Sequence, residues 1–311
     1  MRVSLEQQNV EIHANRRQWE RKPLLRKVYS QFEREDAKRV DPAQPSLVVE
    51  LGCGKGLIKE HLPDCITTDV FPNPWLHRGE DAYNLTFDAC AVSNLIFFDV
   101  WHHLEYPGTA LREFHWVLTE RGKVIIFDPA MGVLGRFVFG AFHHEPLGLR
   151  EEIRWEAPAG LMPADFGCYA AQGNASGVFG SRAFRERLRG WRLAEVSYFS
   201  ALTYLGTGGF RGPQLYPMAA LPLLNRVDSF LSRFPSLASR MLVVLEKQAQ
   251  HSPSSLVRER SLQFLGGCRK RKATTGILHY ARDDGEGRAW NAGCRGELSS
   301  AHGGIKPPHS L

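Results

Sequence analysis

The sequence predicts an α/β fold, a doubly wound sheet that is parallel over most of its width. Three observations predict it. Segments of strand length recur at 46–51, 65–70, 92–98 and 123–127, and the first is a short apolar run of the kind used for a buried parallel strand. Helix-like segments lie between them, and strand–helix alternation is what a parallel sheet with crossover helices requires. The first run passes directly into a glycine loop, Glu50-Leu51-Gly52-Cys53-Gly54-Lys55-Gly56, at the carboxyl edge where open α/β sheets hold ligands.

Each element follows in order. Residues 5–40 read as helix, because Leu25, Val28, Phe32 and Val40 recur near helical spacing among many charges. Pro23 opens a new helix rather than interrupting one, and Asp41-Pro42 with Pro45 marks the stop. The first strand is 46–51, followed by a short helix over 57–62, a strand over 65–70 and another over 92–98. Residues 109–118 are helical, with Leu111, Phe114, Val117 and Leu118 on one face; Gly122 ends the helix and 123–127 is the next strand. From 130 to 180 the chain is rich in Gly, Phe and His without a clean period. Residues 184–188 read as a helix end, 193–199 as strand, 205–220 as a Gly/Pro-rich loop, 221–234 as an amphipathic helix and 241–246 as the last strand. From 248 to 311 neither period is readable and Ser, Gly and charged residues dominate, so this tail is expected to be disordered. One domain over 1–247 is expected, with a helical N-terminal cover over 1–45, a first half over 46–130 and a second over 131–247.

Bulk properties narrow the function. The chain has 311 residues, 43% hydrophobic and 23% charged, with net charge +6. Ten Lys/Arg against five Asp/Glu fall in 248–311, which leaves 29 against 28 in the rest. The body therefore exerts little long-range attraction on polyanions, and no nucleic-acid partner is expected. The basic run Arg269-Lys270-Arg271-Lys272 reads as part of a solvated tail. No two of the six cysteines form C-x-x-C, so no zinc or redox site is indicated. The polar stretch 1–10 is no secretory signal, and no run approaches a membrane span. The expectation is a cytoplasmic protein with reduced thiols.

The loop carries the chemistry. Its glycines permit positive φ and close backbone approach to a ligand, and the helix start exposes unpaired N–H groups. A dinucleotide fingerprint needs its third glycine at position 57, which is Leu57; here it is Gly56. No Gly-Lys-Ser/Thr follows, so a P-loop is excluded as well. The bland alternative is a glycine-rich turn with no ligand. Asp69 ends the second strand, where a carboxylate can accept both hydroxyls of a ribose.

The pattern Glu50-x-Gly52-x-Gly54-x-Gly56, with Asp69, Asp81-Ala82 and the segment from Phe97 to Leu104 that contains His102-His103-Leu104, resembles the class I S-adenosylmethionine-dependent methyltransferases of small-molecule type. The resemblance covers about 46–130 well and fits 193–199 and 241–246 more loosely. It implies a seven-stranded sheet with one antiparallel strand, a helical cover and inserts over the carboxyl edge. It implies S-adenosyl-L-methionine as cofactor, bound by Glu50, Gly52, Gly54, Gly56, Asp69, Asp81, Ala82 and Phe98. The half 46–130 then binds the cofactor and 131–247 faces the acceptor. Two departures stand out: Val92-Ser93 where the family often has Phe-Asp, and Lys55 inside the loop.

The activity so implied is methyl transfer to a small-molecule, glycan or lipid-linked acceptor, on oxygen. No Asn-Pro-Pro-Tyr or Asp-Pro-Pro-Tyr follows the fourth strand, as it does in many amino-methylating relatives; Phe98-Asp99-Val100-Trp101 stands there. His102 and His103 are the candidate bases, since a neutral imidazole takes a proton near pH 7; either residue serves equally as part of the pocket wall. His143-His144-Glu145 is a second polar cluster, more consistent with an acceptor pocket or surface than with a metal, and no metal is expected. The rival readings are a non-catalytic module that holds the cofactor or a partner, and a nicotinamide oxidoreductase.

Overall fold

The computed structural model describes residues 5–44, 46–142, 146–149, 151–161 and 169–249. Two helices come first, α1 (Leu5–Arg21) and α2 (Pro23–Ala37), with Pro23 in the first turn of α2, where its fixed φ and missing N–H are compatible with the helix. Then come β1 (Leu47–Glu50), a 3-10 turn (Leu57–Glu60), β2 (Ile66–Asp69), the two-residue β3 (Arg78–Gly79), β4 (Val92–Phe98), a 3-10 turn (Trp101–His103), α3 (Pro107–Val117) and β5 (Leu118–Pro129). The second half holds α4 (Val133–Phe142), α5 (Asn174–Gly180), α6 (Arg182–Arg185), β6 (Trp191–Phe199), α7 (Leu202–Gly206), a 3-10 turn (Met218–Ala220), α8 (Leu221–Leu231), a 3-10 turn (Pro235–Leu237) and β7 (Arg240–Lys247).

The strands form one seven-stranded sheet in the order β3-β2-β1-β4-β5-β7-β6. β1 to β5 run parallel, and β7 is antiparallel to both β5 and β6. This is the predicted doubly wound sheet with one antiparallel strand. The chain leaves β1 toward β2 on one side and returns to β4 on the other. The carboxyl ends of β1 and β4 therefore flank a topological switch point, where a crevice opens.

Strand alternation divides the core between the two faces. Leu95, Phe97, Val124, Ile126, Met241 and Val243 point to the face covered by α3 and α5, through Leu111, Phe114, Val178 and Phe179. Phe127, Leu242 and Val244 point to the other face, where α2 lays Leu24, Val28 and Phe32, while Ile96 and Ile125 meet Ile58 and Cys65 there. The N-terminal cover is thus packed into the molecule by the apolar stripe of α2.

Several elements differ in detail from expectation: the helix expected over 221–234 ends at Leu231, and the expected loop 205–220 contains the 3-10 turn Met218–Ala220. The helix expected over 57–62 is a single 3-10 turn. β3 has no counterpart in the expected strands, because two residues carry no pattern. β5 begins at Leu118, directly after α3, and passes Arg121 in the left-handed region at φ 62° before the run at 123–127. Cys53 and Cys65 are free, whereas Cys90 is disulfide-bonded, against the expectation of reduced thiols. The cluster His143-His144-Glu145 lies outside the described residues, and so does the tail 248–311 beyond its first two positions. Among the described residues no helix is long and apolar enough to cross a membrane.

Candidate functional site

A cavity of about 430 Å³ opens at the switch point. The glycine loop, the ends of β2, β4 and β5, the cover helices α1 and α2, and residues of the second half all contribute to its wall. Every sequence-predicted site residue except Gly56 lines it: Glu50, Gly52, Gly54, Asp69, Asp81, Ala82, Phe98, His102 and His103.

The loop is left-handed at each glycine, with φ of 69° at Gly52, 50° at Gly54 and 68° at Gly56. Two of them differ in what they face. A Cβ on Gly52 would lie 2.6 Å from Val100 Cγ1, so this glycine allows the β1 and β4 ends to close on each other. A Cβ on Gly54 would meet nothing nearer than Ile12 at 4.0 Å, so its exposed side faces open cavity. The Gly54 N–H donates to Asp69 Oδ2 at 2.9 Å and the Phe71 N–H to Oδ1 at 3.2 Å. Asp69 thereby ties β2 to the loop, a structural duty the sequence did not reveal. Each carboxylate oxygen accepts more than one hydrogen bond, so capacity toward the cavity remains. Burial raises the Asp69 pKa, opposed by its backbone donors at Phe71 and Gly54.

Behind the loop stand buried acids. Glu50 is 3% exposed and its Oε2 has no hydrogen-bond partner; Glu33 on α2 matches it in both respects, and both residues line the cavity. Neither oxygen of the fully buried Asp36 is paired. Desolvation, reinforced by the neighbouring acids, pushes Glu33 up to about 8 and raises Glu50 and Asp36 well above the usual carboxylate range. Facing them, the Lys55 ammonium sits among the rings of Phe210, Trp19 and Tyr29, 3.7, 5.1 and 5.2 Å from their centroids. Desolvation lowers Lys55 to about 7, against the pull of Glu33 and Glu50. The loop carrying Phe210 is itself anchored, because Lys22 Nζ, at the α1–α2 junction, donates to the Gly209 and Gly212 carbonyls at 2.6 and 2.5 Å.

At the β2 side, Asp81 Oδ1 accepts the Tyr83 N–H at 2.9 Å and Ala82 presents a small apolar surface. Across the cavity, Phe98 stacks on Phe127 at 5.2 Å. Asp99 takes φ 57° at the tip of β4 and pairs with the buried Arg240 at the start of β7. His102 and Asp128 are both buried, and Nδ1 of the imidazole lies 2.9 Å from Asp128 Oδ1. Nδ1 of His103 is 2.8 Å from the Tyr169 carbonyl, and the two imidazoles lie 4.1 Å apart. The adjacent histidines thus differ in support: one is backed by a carboxylate, the other by a main-chain oxygen. Among the described residues no group of three or more His, Cys, Asp or Glu is arranged to hold a metal ion.

Sequence reasoning missed Asp128, Glu33 and Arg240. Asp128 was discoverable, since it follows the strand at 123–127 and so shares a sheet edge with the histidines after β4. Glu33 had a weaker signal, an acid directly beside Phe32 on a helix that also buries Val28. Nothing local marks Arg240.

No protein-family model matches the sequence, and no curated protein does. Solved structures do match. One is a chain of the complex between the Haloferax volcanii Trm112 methyltransferase activator and a methyltransferase, at 15% identity over 79% of this chain and 98% of that one, TM-score 0.44. Another is the geranyl diphosphate C-methyltransferase of Streptomyces coelicolor A3(2), solved with S-adenosyl-L-homocysteine, at 13% identity over 70% and 76%, TM-score 0.43. A third is a SAM-dependent methyltransferase of Archaeoglobus fulgidus, at 14% identity over 71% and 94%, TM-score 0.41. The chain is similar in structure to these methyltransferases. The likeness assigns no role to any residue.

Proposed function

We propose that the protein is an S-adenosylmethionine-dependent methyltransferase acting on oxygen of a small-molecule, glycan or lipid-linked acceptor. The observation that carries the reading is the convergence on one cavity of a left-handed glycine loop open at Gly54, a buried acid at the end of β2, and a buried His102–Asp128 pair. The residues fit the cofactor. Its ammonium and sulfonium are cationic, and Glu50 and Glu33, each with one buried oxygen lacking a hydrogen-bond partner, are among the lining residues; a cation bound beside them would draw these raised carboxyls back toward the ionised form. Asp69 would accept the ribose hydroxyls, Asp81 and Ala82 would border the adenine, Gly52 and Gly54 would let the backbone approach, and Phe98 would close the far side. Gly56 turns the chain without lining the cavity.

The bound cofactor supplies a methyl group already activated on sulfur, with a neutral thioether as leaving group. The protein has two tasks. The cavity holds the acceptor in line with the methyl group, and effective molarity is the gain. His102 removes the hydroxyl proton: Asp128 accepts from Nδ1–H, fixes the tautomer with the lone pair on Nε2, and stabilises the imidazolium that forms. His103, held by the Tyr169 carbonyl, shapes the wall. Asp99 and Arg240 tie the tip of β4 to the start of β7 across β5.

Calorimetry with S-adenosylhomocysteine and with NAD tests the binding, and transfer of labelled methyl to extract fractions tests the turnover. Heat with the first ligand only, and label in an alkali-stable neutral product, are expected. Asp128→Asn should leave S-adenosylhomocysteine affinity unchanged and lower kcat by about 10²–10⁴-fold, the usual worth of general-base help. Unaltered kcat would remove the pair from the reaction.

A further inference from the structure

Several large hydrophobic side chains of the second half remain exposed. Leu215, Met218, Leu223, Val227, Phe230 and Phe234 all fall within twenty residues of chain. The last four are spaced by four, three and four positions, which puts them on one face of α8 and its following turn. Phe230 and Phe234 meet edge to face at 5.7 Å. Val133 and Phe137, a turn apart on α4, are 68% and 62% exposed. The start of α4 abuts the turn Pro235–Leu237 so closely that a Cβ on Gly132 would lie 2.8 Å from the Pro235 carbonyl. Yet α4 also sends Phe139 into the cavity wall. One helix therefore separates the cavity from this apolar surface.

The charges on the surface have one sign. Between 213 and 238 the charged residues are Arg226, Asp228 and Arg233. Asp228 is turned inward, accepting from Ser200, from the Leu202 and Thr203 N–H groups and from the Thr203 hydroxyl. Arg226 and Arg233 are exposed, and so is Arg136 on α4. Arg233 lies 5.9 Å over the Phe230 ring, a cation beside an apolar anchor. An exposed apolar stripe rimmed by arginines is the composition of a helix that lies in a lipid–water interface, and anionic headgroups supply the complementary charge.

We propose that the α4–α8 face docks on the surface of an anionic lipid membrane, with α8 lying in the interface and the cavity opening behind α4. The inference goes beyond the methyl-transfer reading and does not depend on it. It is tested by flotation of the full-length protein with vesicles of phosphatidylcholine alone and of phosphatidylcholine mixed with phosphatidylglycerol. Binding to the mixed vesicles, weakened by added salt, is expected. Phe230→Asp with Phe234→Asp, and separately Arg226→Glu with Arg233→Glu, should each weaken it by at least about tenfold. These side chains are exposed, so both double variants should keep the parent Tm, which confirms that folding is intact. Three outcomes overturn the proposal. The mixed vesicles bind no better than phosphatidylcholine alone. The folded variants bind as the parent does, which assigns the attraction to another part such as the Arg269-Lys270-Arg271-Lys272 run. Or sedimentation velocity reveals a dimer that the phenylalanine variant dissociates, which assigns the face to a second copy of the chain.

Discussion

Gly52 and Gly54 stand close together in one loop, yet one faces packed chain and the other faces open cavity. At Gly52 an added Cβ would sit 2.6 Å from a Val100 methyl carbon, on top of the left-handed φ. At Gly54 only the φ is unfavourable, since the nearest atom is 4.0 Å away; a left-handed non-glycine residue costs roughly 1–2 kcal/mol. Gly52→Ala should therefore lower Tm markedly. Gly54→Val should keep a folded protein and abolish heat on titration with S-adenosylhomocysteine, because the side chain enters the ligand's space. Glu33 supports a prediction with a pH sign. Its pKa rises from 4.5 to about 8 on folding. The folded state then holds the proton that the unfolded state has lost, so this contribution to stability is intact below the lower value and disappears as pH climbs to the upper one. Lys55, lowered from 10.5 to about 7, works in the opposite direction above pH 7, where rising pH restores stability. Glu33→Gln should thus raise Tm at pH 8 and change it little at pH 4.5, with roughly 2–4 °C expected per kcal/mol recovered. Equal effects at both values in calorimetric scans would contradict the buried-acid assignment.

Elements differ in how much of them a sequence can reveal. β4 is legible to the residue, because five of the seven residues at 92–98 are apolar and the strand is buried on both faces. The break at Pro23 is legible because proline has a definite place in a first turn. The 3-10 turn at Leu57–Glu60 is not, since its four residues are compatible with either helix type and what decides is packing of Ile58 under the sheet. Nor is the site complete: the loop, Asp69 and the histidines announce themselves by local spacing and Asp128 by following an expected strand, whereas Arg240 arrives from a strand whose neighbours are fixed only by tertiary pairing. The short helix α7 shows the same dependence. Its N-terminal N–H groups at Leu202 and Thr203 are satisfied by Asp228, a residue of α8 distant in the chain, at 2.7 and 2.9 Å. Ala201, before them, holds the left-handed region at φ 54°. Asp228→Ala should remove the shared charged acceptor of these hydrogen bonds, a joint net loss of about 1.5–3 kcal/mol, and lower Tm by roughly 3–12 °C. A shift within error would mean that α7 is held by packing alone.

At the scale of the molecule, charge and fold are distributed separately. The sheet closes with β7, whose antiparallel pairing to β5 and β6 ends at Lys247. The buried Lys247 ammonium donates to the His115 and Leu118 carbonyls at 2.7 Å each, where α3 ends and β5 begins. That contact completes the seven-stranded sheet before the tail begins. Five of the six net positive charges of the chain lie beyond it. A chain ending at Ala249 should therefore lose most of its cationic character and none of its core. Ion-exchange elution should shift toward that of a near-neutral protein, while thermal unfolding should stay within about 1 °C of the full-length value, the response expected when no buried surface is removed. A drop of several degrees in Tm would show instead that residues after 249 pack on the body, and would make the one-domain reading of 1–247 incomplete.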